Sequence, residues 1–489
     1  MRLLYLDIDS LRPDHLGCYG YHRDTSPNID ALAREAVRFT NVYVSDAPCL
    51  PSRTALWSGR TGFHTGVVSH GGAAGQPFPQ GPDVPDNGNV FRRTGWMNAL
   101  ASLGMKTATI SPFAQRHSAW HWYAGFNEIY NTGKNGDELA DDIVPVALEW
   151  LDRNGRDPDW FLHVNLWDPH TPYRTPPSYG EPFAGDPLPE WFTEEMHRRA
   201  WEGFGPHSPQ EPNWLWGNVS DRFPRHPDSI DSIKAVRQWV DGYDTGIRYA
   251  DDWIGRLFDK LRSLGIYDET VIVAGADHGE NIGELNVWGD HQTADPITCR
   301  VPLLIRYPGY NPRVDAALHY HFDWAATVIE LLGGSVPENW DGVSFADAFR
   351  KQEQAGREFV VTGQGAWACQ RGVRFDHDGR AWLCLRTYHD GYKALEPVML
   401  FNLDEDFHLQ RDVAVGEPAL VDRALRLLEN WIYEQQMTGE TAVDPLMTVM
   451  REGGPFYVRG DLPRYLERLK ATGRAQHAER LARLHPDEA

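Results

Sequence analysis

The chain is poor in cysteine. Its 489 residues include five, Cys18, Cys49, Cys299, Cys369 and Cys384, odd in number and widely scattered. No Cys-x-x-Cys pair occurs, so neither a disulfide scaffold nor a zinc knuckle is expected. No run approaches the ~18 uninterrupted apolar residues of a membrane-spanning helix. The opening segment Met1-Arg-Leu-Leu-Tyr-Leu-Asp-Ile-Asp9 lacks the basic flank, long apolar stretch and small-residue cleavage site of a secretory leader, which predicts a cytoplasmic location. Positive charge is scarce: 47 Lys+Arg stand against 69 Asp+Glu, a formal net charge of −22. That balance repels polyanions and argues against a nucleic-acid or anionic-membrane partner. Repeats and low-complexity tracts are absent. The remaining composition, 41% hydrophobic and 24% charged, excludes intrinsic disorder. The length exceeds what one hydrophobic core usually serves, so at least two packed units are expected.

Three short apolar runs, Leu3 to Ile8, Trp160 to Leu166 and Glu269 to Gly275, read as buried strands of a mostly parallel sheet. Helical patterns lie between them. Ile29, Leu32, Ala33, Ala36 and Val37 share one face, with Ser26-Pro27 as N-cap and first-turn proline, and Tyr243 to Leu261 forms a longer stripe ended by Gly265. Alternating strands and helices imply an α/β fold with helices on both faces and ligands beyond the carboxyl ends of the strands. Gly71 to Asn89 and the tryptophan-bearing Thr175 to Pro227 resist regular assignment and read as lids or as surface excursions pinned by their own aromatics. A charged helix from Arg350 to Arg357 is expected to lead into strands at Phe359–Thr362, Trp382–Leu385 and Met399–Asn402, closed by a helix from Ala419 to Gln435. This places a boundary near 355, with a catalytic domain over 1–355 and a smaller α+β domain with an antiparallel sheet over 356–489.

Polar residues at strand ends carry the chemistry. Asp9 ends the first run, and Asp277-His278 follow Val271 to Ala276. Converging at one sheet edge, two carboxylates and an imidazole suit a divalent cation; the alternative is that the acids cap the following helices. His170 lies in the proline-stiffened Asp168-Pro-His-Thr-Pro-Tyr173 straight after a strand, where a ligand-facing role is expected, whereas His163 lies inside its strand and reads as structural. Cys49, in Pro48-Cys-Leu-Pro-Ser-Arg53 ahead of a helix start, reads as a thiolate nucleophile favoured by the helix terminus and Arg53, or as a small buried hydrophobe.

Cys49-Leu-Pro-Ser-Arg53 with Ser58-Gly-Arg60 resembles the signature of the formylglycine-dependent sulfatases of the alkaline-phosphatase-like superfamily. Asp9-Ser-Leu-Arg-Pro-Asp-His-Leu-Gly-Cys-Tyr-Gly20, Ala276-Asp-His-Gly-Glu280, Asp168 to Tyr173, Arg300 to Ile305 and Leu400-Phe-Asn-Leu-Asp404 are similar to further family blocks, in the family's order. The resemblance implies an alkaline-phosphatase-like fold and a sulfuric ester hydrolase acting on a small aryl, alkyl or sugar sulfate. It implies metal ligation by Asp9, Cys49, Asp277 and His278, with Ca²⁺ foremost and Mn²⁺ or Mg²⁺ as alternatives. It also implies oxidation of Cys49 to formylglycine by a formylglycine-generating enzyme. Arg53 would orient that group and His170 would meet the substrate's anionic moiety. The hydrated aldehyde would attack sulfur through one hydroxyl, and the second would then expel sulfate.

The chain departs from the family pattern in three places. Ser10 stands where a second carboxylate is usual. Ser111-Pro112 occupies the register of a Gly-Lys pair, for which Lys106 lies too early, and Trp288-Gly-Asp-His291 holds Asp290 where a second lysine is usual. His291, with Arg116 and His117, is the expected substitute for those cations. A phosphonate monoester or phosphodiester, less negatively charged, is the alternative substrate class. The negative surface favours a small substrate over a polysaccharide, and Trp214 and Trp216 are candidates to stack on a sugar or aryl group.

Overall fold

The structure, a computed structural model, describes residues 1–78, 91, 94–215, 217–351, 354–438 and 443–488. Thirteen strands are described: β1 Arg2–Ile8, β2 Val37–Tyr43, β3 Asp46–Ala47, β4 Lys106–Ile110, β5 Glu128–Tyr130, β6 Trp160–Leu166, β7 Thr270–Gly275, β8 Arg300–Arg306, β9 Arg313–Tyr320, β10 Phe359–Gln364, β11 Cys369–His377, β12 Arg380–His389 and β13 Val398–Asn402. The large sheet runs β5-β4-β6-β1-β7-β8-β2-β9, parallel throughout except for β8, which is antiparallel to both neighbours. The three runs read as buried strands become β1, β6 and β7, side by side at its centre, because only a strand covered on both faces buries so continuous an apolar run. With β2 parallel to β7, the chain leaves β1, β2, β4, β6 and β7 along the same edge.

Strand alternation sets the faces. Tyr5, Asp7 and Asp9 share one side of β1. Tyr5 meets the Trp57 and Trp96 rings at 6.4 and 5.9 Å, so the Cys49–Ser58 and Trp96–Ser102 helices cover that side. The helix read at Ile29 is shorter than its pattern. It spans Pro27–Ala33, and Val37 opens β2 instead. Ser26 sits at the N-cap, but its hydroxyl donates to Asp30 Oδ1 at 3.1 Å and caps no backbone amide of the helix. The buried carboxylate of Asp251 accepts from the Asn28 and Ile29 amides at 2.9 and 2.8 Å and does that work from the Ile233–Ser263 helix. That helix begins at Ile233, ten residues before the apolar stripe at Tyr243, with Ser232 as an N-cap whose hydroxyl accepts from the Ala235 amide.

The second sheet runs β13-β12-β11-β10-β3. The strands anticipated at 359, 382 and 399 are β10, β12 and β13, each longer than read, and β11 went unread because Gln370-Arg-Gly-Val-Arg-Phe375 mixes charge with apolar residues. Leu420, Ala424, Leu428 and Trp431 line the inner face of the Pro418–Thr438 helix against Val361, Val373, Phe375, Cys384 and Leu400. The charged helix placed at Arg350–Arg357 is instead Ala346–Arg350; residues 352 and 353 lie outside the described residues. One edge of this sheet is β3, which follows β2 and pairs parallel with β10.

Thr175–Pro227 is a packed excursion. The buried Arg225 gathers it by donating to the carbonyls of Thr175, Pro176 and Gly180. Trp214 does not face open space for a sugar. It lies under Arg464 at 4.0 Å, against Tyr465, and donates from Nε1 to Asp461 Oδ2. Trp216 and most of Gly71–Asn89, from residue 79 on, lie outside the described residues. No helix among the described residues is long and apolar enough to cross a membrane.

Candidate active site

Loops leaving the shared edge of β1, β2, β6 and β7 bring Asp9, Cys49, His170 and Asp277-His278 together, and all are buried. Cys49 opens the helix Cys49–Ser58, with its thiol facing the strand ends. Cys49 Sγ lies 3.0 Å from His278 Nε2 and 4.0 Å from His291 Nε2. Burial first, and then Asp9, push the thiol up to about 12, so the cysteine as encoded is a protonated thiol rather than a thiolate.

Arg53 follows one helical turn after Cys49 and points the same way. Its guanidinium reaches Asp7 Oδ2 at 2.9 Å, Asp9 Oδ2 at 2.9 Å and Asp277 Oδ2 at 2.6 Å, between the Phe113 and Trp167 rings at 4.9 and 5.5 Å. Nη2 keeps no hydrogen-bond partner although it is buried. Burial works to raise the Asp9 carboxyl, but Arg53, His170 and His278 outweigh it and hold Asp9 well below the ordinary carboxylate range. Burial and the Asp9 charge leave Asp277 raised.

His278 Nδ1 lies 2.9 Å from the Gly279 carbonyl, which makes it the donor and leaves Nε2 facing Asp277 Oδ2 at 3.1 Å and the Cys49 thiol. Asp9, Cys49, Asp277 and His278 each offer a ligand atom within 4.8 Å of the others. An imidazole nitrogen turned toward two carboxylates at a fully buried point calls for a cation between them, so these residues fit a divalent ion. Ser10 adds no ligand carboxylate. Held at φ 60, it donates from Oγ to Asp9 Oδ1 at 2.9 Å and from its amide toward Asp277 Oδ1 at 3.3 Å, bracing both acids.

His170 Nδ1 bonds the Thr171 carbonyl, which turns Nε2 toward the centre. Its ring lies 5.2 Å from that of His291, and with Asp290 the two form a second group of ligand atoms within 4.8 Å. Burial lowers His170 to about 3, and burial with the neighbouring imidazoles lowers His291 well below its usual range; His117 falls likewise through burial, His70 and Arg116. Burial thus favours the neutral form of these imidazoles, so none of them supplies a fixed charge in place of the missing lysines. The cation beside them is Arg116, over the Trp167 face at 5.2 Å. His163 is structural, bridging Thr109 Oγ1 at 2.9 Å and Asp7 Oδ2 at 3.1 Å.

Three participants escaped the sequence reading. Asp7 lies inside β1, and only its alternation with Asp9 hinted that both share a face. His70 accepts the Leu50 amide at Nε2 and bonds the Tyr457 hydroxyl at 2.7 Å, with its ring 4.7 Å from that of His117. Tyr457 arrives from the far C-terminal segment, which no local pattern connects to Cys49.

A sulfatase family model matches residues 2–335. The choline-sulfatase of Rhizobium meliloti (strain 1021) is 24% identical over 434 residues, covering 82% of this chain and 79% of that protein. Among solved structures, BT4656 in complex with its substrate D-glucosamine-2-N,6-O-disulfate superposes with TM-score 0.69 at 18% identity, covering 89% of this chain and 97% of the other. The phosphonate monoester hydrolase SpPMH from Silicibacter pomeroyi gives TM-score 0.65 at 20% identity, with 91% and 96% covered. At such identities the superpositions speak for the fold alone. The family match spans two thirds of the chain and takes in the edge where Asp9, Cys49, Arg53 and Asp277 meet, and by it this protein belongs to the sulfatases, hydrolases of sulfuric esters.

Proposed function

We propose that the protein hydrolyses a small sulfate ester at Cys49 after that residue is oxidised to formylglycine by a maturation enzyme, with a divalent ion, Ca²⁺ foremost and Mn²⁺ or Mg²⁺ as alternatives, held by Asp9, Asp277, His278 and the modified residue. The observation that carries this reading is the Cys49–Arg53 turn. It sets the thiol 3.0 Å from His278 and the guanidinium on three buried carboxylates, beside four donors suited to a metal. When bound, the ion would make an oxygen nucleophile more acidic and offset charge on the sulfate.

Arg53, immobilised by Asp7, Asp9 and Asp277, keeps Nη2 free to donate to an oxygen of the bound group. His170, turned by Thr171, directs Nε2 toward the place of the anionic group, to which it donates once that nitrogen is protonated. His291 Nε2, 4.0 Å from Cys49 Sγ, is placed to take a proton from the group at position 49, while its Nδ1 faces Glu280 Oε2 at 3.6 Å. His117 and His70 complete the wall. The net charge of −22 and the choline-sulfatase relative both favour a small ester.

A phosphonate monoester or phosphodiester is the second reading. It is favoured by Ser111-Pro112 and Asp290 at the two family lysine positions, which leave less positive charge for the transferred group. The deciding measurement is the mass of the tryptic peptide Phe39–Arg53 from protein made with a maturation enzyme, followed by turnover of 4-nitrophenyl sulfate against 4-nitrophenyl phenylphosphonate under one metal. An aldehyde at Cys49 with faster sulfate turnover is expected. An intact thiol would move the assignment away from formylglycine chemistry, and faster phosphonate turnover would select the second reading.

A further inference from the structure

A second basic cavity lies just beyond the His170 turn. Arg116, Asp137, Pro172, Arg174, Asn218 and Arg222, with Val219 and Phe223, line about 370 Å³. Three guanidinium groups face one carboxylate there, in a chain whose overall charge is −22. Asp137 is already committed, bonding Arg222 at 2.9 Å and standing 3.9 Å from Arg174 Nε, outside hydrogen-bond reach. Arg174 is only 7% exposed, and its Nε and Nη1 have no hydrogen-bond partner among the described residues; its one bond runs from Nη2 to the Thr171 carbonyl at 3.3 Å. A buried guanidinium is costly to leave unsatisfied, so donors kept open in this way imply an anionic guest.

The cavity is coupled to the catalytic edge. Pro172 is two residues past His170, and Arg116 lies on Trp167, whose other contacts include the His170 and Arg53 side chains. The charge of Arg174 is felt by His170 and Asp9. Its lining runs from the buried Arg174 to the exposed Asn218 and Arg222, so the cavity opens from Arg174 to the surface.

We propose that this cavity binds a second anionic group, a carboxylate or a second sulfate, carried on the alcohol portion of the substrate, with Arg174 as its principal donor and Arg116 and Arg222 beside it. The inference rests on the sulfatase reading and names its substrate class: small sulfate esters with two negative charges. It also accounts for three arginines from separate segments, the Phe113–Arg116 helix, the turn after His170 and the 175–227 excursion, meeting in a chain of net charge −22.

Uncleavable sulfonates test the cavity without turnover. Calorimetry would compare 3- and 4-sulfobenzoate and 1,3- and 1,4-benzenedisulfonate with benzenesulfonate on the full chain. At least one doubly charged ligand is expected to bind about tenfold or more tightly than benzenesulfonate, and Arg174→Gln should erase that margin. Arg222→Gln should reduce it; that side chain is 69% exposed, so its loss does not threaten folding. No margin for any doubly charged ligand overturns the proposal. So does an Arg174→Gln variant that weakens benzenesulfonate equally, because Arg174 would then serve the transferred group. Kinetics on 4-sulfooxybenzoate and its methyl ester separate the two readings. Failure to hydrolyse either ester counts against sulfatase action, while equal KM values for both count against the cavity.

Discussion

At the residue scale, the centre depends on a few side chains held by geometry rather than by exposure. Arg53 is shared by three buried carboxylates, and removing it leaves them facing one another. Arg53→Met is expected to cost roughly 3–5 kcal/mol of stability, read by urea unfolding, and to abolish divalent-ion retention. Normal metal content in that variant would refute the role given to Arg53 in holding Asp9 and Asp277. Gly279 shows why the Asp277-His-Gly segment admits no side chain there. A Cβ at Gly279 would stand 2.0 Å from the Ile297 carbonyl oxygen and 3.2 Å from Arg12 Cγ. Gly279→Ala should therefore lower stability by about 1–3 kcal/mol through overpacking and displace His278, whose Nδ1 bonds the Gly279 carbonyl.

At the element scale, ion pairs pin the loop after β7. Glu284 is buried and meets Arg12 at 2.8 Å and His408 at 3.0 Å. Burial alone would raise its carboxyl, but Arg12 and His408 outweigh that and lower it from 4.5 to about 2. A carboxylate depressed on folding stabilises fully above its unfolded pKa and loses that contribution as pH falls through the folded one. The pair should thus contribute about 3 kcal/mol at neutral pH, fading below pH ~4.5 and gone near pH ~2. Glu284→Gln is expected to lower neutral-pH stability and to flatten that acid limb, which chemical unfolding at a series of pH values would follow. An unchanged acid limb would mean that other carboxylates control it.

At the scale of the whole molecule, the two sheets share the edge that bears the site. β3 leaves the Cys49 approach to pair with β10, and Arg371 of β11 crosses to Asp46 and Asp444, each at 2.8 Å. Tyr457 reaches His70 beside Leu50. A chain ended at residue 355 loses all of these and leaves Asp46 without its arginine. It should fail to give a cooperative thermal transition, and a well-folded, metal-retaining fragment would show the larger sheet to be self-sufficient. The milder Tyr457→Phe keeps the ring and removes only the hydroxyl. It is expected to cost about 1 kcal/mol and to slow turnover by altering His70 alone.

The three central strands were readable because an apolar run of six or seven residues between turn signals has few other ways to be buried, and the acids and histidine at their ends followed at once. Cys49 and Arg53 were readable for a different reason: five adjacent residues resembled a family signature, and one helical turn is enough to aim both side chains at the same point. Local pattern failed wherever partners came from afar. Asp251 replaced Ser26 as the cap of the first helix, β11 hid its apolar residues among arginines, and Trp214 turned to a C-terminal helix rather than to a ligand. His70, Tyr457 and the Arg116–Arg174–Arg222 cavity needed the fold itself, since their residues lie up to 387 positions apart. Burial also sets the direction in which His291 and His117 shift. A histidine read in the chain has the option of charge: burial among imidazoles and Arg116 lowers His291 and His117, whereas the adjacent Asp277 raises the equally buried His278.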